Sequence, residues 1–133
     1  MKKIEHIGIA VTDLNEANEL YTKILGIKPY KIEQVDSEGV ITSFFKSKNT
    51  KIELLQGIGK DNAISNFIDK RGEGIHHIAF EVENIKYEIS RLKKLGFNII
   101  NETPKQGADN KLICFIHPKS TKHVLIELCQ KIK

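Results

Sequence analysis

In Ile4-Glu5-His6-Ile7-Gly8-Ile9-Ala10-Val11, apolar residues alternate with small or polar ones. This predicts a strand with Ile7, Ile9 and Val11 on one face and His6, Gly8 and Ala10 on the other. The second face carries little side chain besides the imidazole, which leaves room beside it. Asp13 followed by Glu16 opens a helix in the manner of a capping box; Ala17, Leu20, Tyr21 and Ile24 recur at helical spacing, and Gly26 ends the run. Residues 30–35 and 40–46 read as strands around the polar turn Asp36-Ser37-Glu38-Gly39, and residues 50–55 as a third. Gln56 to Gly74 is a long connection that holds one short helix under Ile64, Phe67 and Ile68.

The pattern then restarts. Ile78, Phe80 and Val82 take the places of Ile7, Ile9 and Val11, while His77 and Ala79 take those of His6 and Gly8. Asn84 caps a helix carrying Ile85, Ile89 and Leu92, and Leu25-Gly26 recurs as Leu95-Gly96. A strand near Phe97 to Ile100, a loop from Glu102 to Asn110, a strand from Leu112 to Ile116 and a last strand through Val124-Leu125-Ile126-Glu127-Leu128 complete the second copy. His6 and His77 are 71 residues apart and Glu53 and Glu127 are 74 apart, so a β-α-β-β-β unit occurs twice; the period is too long for a solenoid. The expected fold class is α+β, two paired β-α-β-β-β modules forming a curved eight-stranded sheet around a metal cleft with the helices outside. The expected organisation is a single domain, 1–133, with modules 1–56 and 74–133 and a linker at 57–73.

Four residues stand out against this frame. Glu127 is the one acid in its apolar strand, and a buried carboxylate needs a partner because an unpaired buried charge is costly. Glu53 repeats it in Lys51-Ile52-Glu53-Leu54-Leu55, and alternation sends both glutamates to the face of His6 and His77. A lone histidine in a strand is more often a packed residue than a ligand, but four polar positions in two matching settings argue for a site. Two imidazoles and two carboxylates suit one divalent ion of the Ni²⁺, Co²⁺, Zn²⁺, Fe²⁺ or Mn²⁺ group, with water or substrate completing its shell. His76 points away from His77 and Glu5 away from His6, so His76 is expected to be structural and Glu5 to face solvent. His117 and His123, at a strand end and beside a turn, are expected to line an entrance.

Composition narrows the partners. The net charge of +4 comes from 21 Lys and Arg against 17 Asp and Glu, mostly scattered lysine with only Arg71 and Arg91 as arginines. Without an arginine cluster or an aromatic stacking platform, nucleic-acid binding is not expected. No apolar stretch reaches membrane-spanning length. Cys114 and Cys129 lie inside apolar strands without CxxC spacing or a signal peptide, which points to a reduced, cytoplasmic protein. A chain of 133 residues buries roughly two-thirds of its unfolded surface, so disulfides are not required.

The opening Ile4 to Val11, the central Arg71-Gly72-Glu73-Gly74-Ile75-His76-His77-Ile78-Ala79-Phe80 and the closing His117-Pro118-Lys119-Ser120 with Leu125-Ile126-Glu127-Leu128 resemble the vicinal-oxygen-chelate superfamily. Its members pair β-α-β-β-β modules around a divalent metal. The stretches are similar to methylmalonyl-CoA epimerase, and His6, Glu53, His77 and Glu127 also match metal ligands of glyoxalase I. Epimerases of this kind place a catalytic glutamate two residues before a Gly-Val pair; here Ser37 stands there, flanked by Asp36 and Glu38. Asp109-Asn110 likewise replaces a frequent His-Gly, while Ala10 falls where glyoxalase I carries its glutathione-binding arginine.

Because an epimerase needs two acid/base groups, the absent carboxylate turns the expectation to glyoxalase I, a lyase acting through an enediolate on the hemithioacetal of methylglyoxal and a small thiol. Glu127 is then the base, with Glu53 serving the other face. The alternatives are methylmalonyl-CoA epimerase, with Lys119 or Lys122 meeting CoA phosphates, and a non-catalytic binding protein. A homodimer is expected, as closed dimers are the common assembly of small chains.

Overall fold

The computed structural model describes all 133 residues. They divide into two compact units, one of His6–His76 and one of Met1–Glu5 together with His77–Lys133. Both carry the expected β-α-β-β-β order. The first has β1 (Lys3–Ala10, from His6 onward), α1 (Leu14–Leu25), β2 (Lys31–Val35), β3 (Val40–Lys46) and β4 (Lys51–Gly57), followed by α2 (Ala63–Arg71). The second has β5 (Gly74–Glu81, from His77 onward), α3 (Ile85–Lys94), β6 (Lys105–Gln106), β7 (Lys111–Ile116) and β8 (Ile126–Lys131).

Within the first unit the strands lie in the order β2-β3-β4-β1, and within the second in the matching order β6-β7-β8-β5. The first strand of each unit pairs in parallel with the last, β1 with β4 and β5 with β8, and the remaining pairs are antiparallel. A parallel pair needs a crossover, and the helix supplies it.

The alternation read from the sequence sorts the faces. Ile9 and Val11 pack with Leu54, Phe45 and Ile52 against Leu14, Ala17 and Tyr21 of α1. Phe80, Val82, Cys114, Ile126 and Leu128 pack against Ile85, Ile89 and Leu92 of α3. The stripe on α1 is narrower than expected, since Leu20 and Ile24 are exposed.

Both helices start at a side-chain cap. Asp13 accepts from the Glu16 N–H and Asn84 from the Tyr87 N–H, each at 3.1 Å. A second device went unread: Gln56 Oε1 accepts from the Leu14 N–H at 2.6 Å, and Gln130 Oε1 accepts from the Ile85 N–H at 2.7 Å. Each glutamine lies three residues past the glutamate of its strand, so the strand's end satisfies a donor that the helix's first turn leaves open.

The connection from Gln56 to Gly74 is part of the first unit's core. Asn62 caps α2 through the Ser65 N–H at 2.8 Å, and its amide donates to the carbonyls of Ile58 and Gly59. Gly57 lies so close that a Cβ there would stand 2.3 Å from Ser65 Oγ and 2.4 Å from Asn62 Oδ1. Ile64 then packs on Ala10, Val40 and Leu55, so α2 covers one end of the face that was expected to be bare.

Three expectations are corrected. Residues 97–100 form no strand: Ile99 makes an isolated bridge to Ile116, and the short β6 falls instead inside the expected loop. The last strand begins at Ile126 rather than Val124, after a turn in which Lys122 and His123 adopt left-handed backbone angles, φ 57° and 70°. Glu5 does not face solvent; it is 2% exposed, with Lys111 Nζ 4.0 Å away. Lys111 is itself buried and donates to the Asp109 carbonyl at 3.1 Å, 3.7 Å from the Asp109 carboxylate, so the charge Glu5 carries inward meets an opposite charge.

No helix is long and apolar enough to cross a membrane. Gln56→Ala and Gln130→Ala are each expected to cost about 1 kcal/mol, the scale of a lost helix-start acceptor, and to add in the double variant because they share no partner. Chemical denaturation of the three variants checks this.

Candidate active site

Each unit presents one histidine and one glutamate on the face turned away from its crossover helix. In the first unit Gly8 stands beside Glu53 in the β1–β4 ladder. His6, two residues earlier on the same face, brings Nε2 to 3.2 Å from Glu53 Oε1. In the second unit Ala79 stands beside Glu127, and His77 Nε2 lies 3.3 Å from Glu127 Oε1. Glycine and alanine at the intervening position leave the diagonal between imidazole and carboxylate open. All four side chains are buried, His6 at 5%, Glu53 at 4%, His77 at 3% and Glu127 at 5% exposure. Burial of this kind holds a carboxylate only where a partner compensates it.

A phenylalanine completes each setting. Phe44 is the ladder partner of Glu53 across β3–β4, and Phe115 of Glu127 across β7–β8. Phe44 meets the His6 ring edge-on, centroids 6.4 Å apart at 85°; Phe115 meets His77 at 6.1 Å and 89°. The sequence reading missed both, although a signal existed: each phenylalanine follows its histidine by 38 residues.

His76 behaves as a structural residue, its ring edge-on to Phe67 of α2 at 5.0 Å. His117 Nδ1 accepts from the Lys119 N–H at 3.1 Å, which closes the turn Pro118–Ser120, and the His123 N–H bonds the Pro118 carbonyl. Both histidines are therefore built into that turn. The turn Asp36–Glu38 is a single 3-10 turn ended by Gly39 at φ 66°. Ser37 is exposed on it, and Asp36 is exposed with its carboxylate accepting from Gln34 Nε2 at 2.8 Å, while Glu38 is half-buried.

The donor set suits a metal. Two donors bound side by side to one ion at about 2.0–2.2 Å stand about 3.0 Å apart in an octahedral shell and about 3.4 Å in a tetrahedral one. The separations of 3.2 and 3.3 Å within the two pairs fall in that interval.

A profile of the Glyoxalase/Bleomycin resistance protein/Dioxygenase superfamily matches residues 5–115. The chain belongs to that superfamily. It is similar to the mitochondrial methylmalonyl-CoA epimerase of Dictyostelium discoideum, 41% identical over 97% of this chain and 78% of that protein. It is also similar to the ethylmalonyl-CoA/methylmalonyl-CoA epimerase of Cereibacter sphaeroides, 38% identical over 96% of this chain and 97% of that one. Among solved structures, methylmalonyl-CoA epimerase from Mycobacterium tuberculosis matches with TM-score 0.94 and 34% identity, covering 98% of this chain and 89% of that chain. A methylmalonyl-CoA epimerase in complex with methylmalonyl-CoA and NH4+ matches with TM-score 0.93 and 28% identity, covering 98% and 95%. Matches of this extent bear out the α+β fold expected of the superfamily.

They also reverse the order of the two activities. Glyoxalase I, with its lyase chemistry and methylglyoxal substrate, gives way to the epimerase, because relatives matching along nearly the whole chain carry that activity. The departures at Ser37 and Asp109-Asn110 are local, whereas the similarity runs the length of the chain.

Behind Glu127, burial and then the Glu127 charge push the Cys114 thiol up to about 12, against a smaller opposing pull from the Leu128 backbone. The unfolded chain forms this thiolate near its ordinary value of 9.0, the folded chain only near 12. The thiol's contribution to stability is therefore complete below the lower value and lost as pH rises through that window. Cys114 is expected to resist a thiol reagent at pH 8 in the folded protein and to react on unfolding in urea, as read by mass spectrometry.

Proposed function

We propose that this chain epimerises a 2-alkylmalonyl-CoA thioester, methylmalonyl-CoA foremost, by moving the proton on the carbon between thioester and carboxylate. The observation that carries the proposal is the duplicated buried His–Glu pair in a chain whose relatives epimerise such thioesters. His6, Glu53, His77 and Glu127 are the residues that would hold a divalent ion. That ion, when bound, supplies Lewis-acid stabilisation of the negative charge that develops on the thioester oxygen.

Glu127 takes the α-proton: the C–H bond breaks, its electron pair enters the thioester enolate and the proton rests on the carboxylate. Inversion then requires a proton delivered to the opposite face from a second group. Glu53 supplies it in this proposal, being buried in the same setting as Glu127, whereas Ser37 has no proton to move at neutral pH and Asp36 is exposed and bonded to Gln34. Lys119 and Lys122, both exposed on the turn before β8, meet the CoA phosphates.

Protein purified without chelator is expected to carry near-stoichiometric divalent metal by elemental analysis, lost in His77→Ala and Glu127→Ala and kept in His76→Ala. Equal metal in all three variants rejects the ligand assignment.

The proton-transfer roles separate in D₂O. Glutamine keeps an oxygen for a metal but cannot carry the proton. Glu127→Gln is expected to lower inversion by roughly two or more orders of magnitude, the scale of general-base catalysis. Glu53→Gln is expected to lose inversion yet still exchange the α-proton of one epimer, with Glu38→Gln within a few-fold of wild type. Loss of inversion in Glu38→Gln with Glu53→Gln unaffected transfers the second role to the turn. Full metal occupancy without turnover of any acyl-CoA brings the ligand-binding alternative forward.

A further inference from the structure

The two phenylalanines hold matching positions but differ in what covers them. Phe44 is 1% exposed, and the Tyr30 ring lies against it at 6.0 Å, tilted by 33°. Lys51 Nζ in turn stands 5.9 Å from the centre of the Tyr30 ring. The first unit's phenylalanine is thus walled in by an aromatic neighbour.

In the second unit the corresponding backbone bond, Tyr30 N–H to the Phe44 carbonyl, is made by the Ile100 N–H to the Phe115 carbonyl. Ile100 carries no ring and is itself exposed. Its neighbour Asn101 spends its amide on the β7 backbone, accepting from the Phe115 N–H at 3.0 Å and donating to the Ile113 carbonyl at 3.2 Å. Phe115 therefore stays partly exposed on a floor of Ala79, Ile113 and Cys129, directly across the ladder from Glu127.

We infer that Phe115 is the surface against which the substituent on the reacting carbon packs, and that it sets the size of substituent accepted. The inference rests on the epimerase reading. An α-carbon delivered to Glu127 brings its alkyl group within reach of the ring that faces Glu127 in the ladder. An apolar group there gains by covering exposed aromatic surface. Phe44 is already covered and has no such surface to offer. The small Ala79 beneath Phe115 marks where space opens once the ring is cut back.

The test compares kcat/KM for methylmalonyl-CoA and ethylmalonyl-CoA inversion in wild type, Phe115→Ala, Phe115→Leu and Phe44→Ala, with metal content measured alongside. One methylene in an apolar pocket is worth about tenfold or more. Phe115→Ala is expected to raise the ethylmalonyl to methylmalonyl ratio by about tenfold, and Phe115→Leu by less, both with metal content kept. Phe44→Ala is expected to lower both substrates together and leave their ratio alone. A ratio that stays within about twofold of wild type in both metal-loaded Phe115 variants overturns the assignment, as does a ratio that follows Phe44 instead. Leu at Phe115 keeps the comparison open if Ala fails to fold. A wild type that inverts neither thioester overturns the activity and this assignment together; one that inverts both while ignoring Phe115 overturns the assignment alone.

Discussion

A carboxylate held in a nearly closed strand face governs how both halves of this chain are built. Taking a charged glutamate out of water costs several kcal/mol unless a partner stands within reach. Glu53 and Glu127 meet that condition with one imidazole each, at 3.2 and 3.3 Å. The requirement reaches outward from the pair. The position beside the carboxylate must be as small as Gly8 or Ala79, the first strand must run parallel to the last so that histidine and glutamate share a diagonal, and a helix must therefore cross over between them. The β-α-β-β-β order meets all three, with two antiparallel strands added between the helix and the last strand.

Much of this was legible because the relevant signals are periodic. Alternation in Ile4 to Val11 and Ile75 to Val82 placed His6 and His77 on the correct face, and Asp13 and Asn84 announced the helix starts through local chemistry. What failed depends on contacts between residues distant in sequence. Glu5 reads as an outward position in its strand, yet it is buried because Lys111, more than a hundred residues later, meets it. Residues 97–100 have strand composition, but only Ile99 finds a bridge partner, while two lysine- and glutamine-bearing residues of a polar loop pair instead. Phe44 and Phe115 look like ordinary strand aromatics until the ladder puts each one across from a glutamate.

Glyoxalase and epimerase chemistry both remove a proton beside a carbonyl and stabilise the resulting charge, so a shared set of histidines and glutamates cannot discriminate them. The discrimination has to come from surfaces that touch the rest of the substrate. The two halves differ around their phenylalanines: an aromatic wall over Phe44 in one, an exposed isoleucine and a backbone-bound asparagine around Phe115 in the other. A repeated fold thus supplies the same His–Glu pair twice in unlike apolar surroundings.

The repeat also records where the chain tolerates a change in length. Histidine and phenylalanine recur after 71 residues, glutamate and its helix-capping glutamine after 74. The three additional residues must therefore lie between Phe115 and Glu127, in the stretch that holds the turn Pro118–Ser120 and the left-handed Lys122 and His123. Between glutamate and glutamine the offset is three residues in both copies, since one more or one fewer would turn the amide to the wrong face of the strand and strip the helix of its first bond. Length can therefore change in that turn without disturbing either helix start, whereas the intervals from Glu53 to Gln56 and from Glu127 to Gln130 have no such slack.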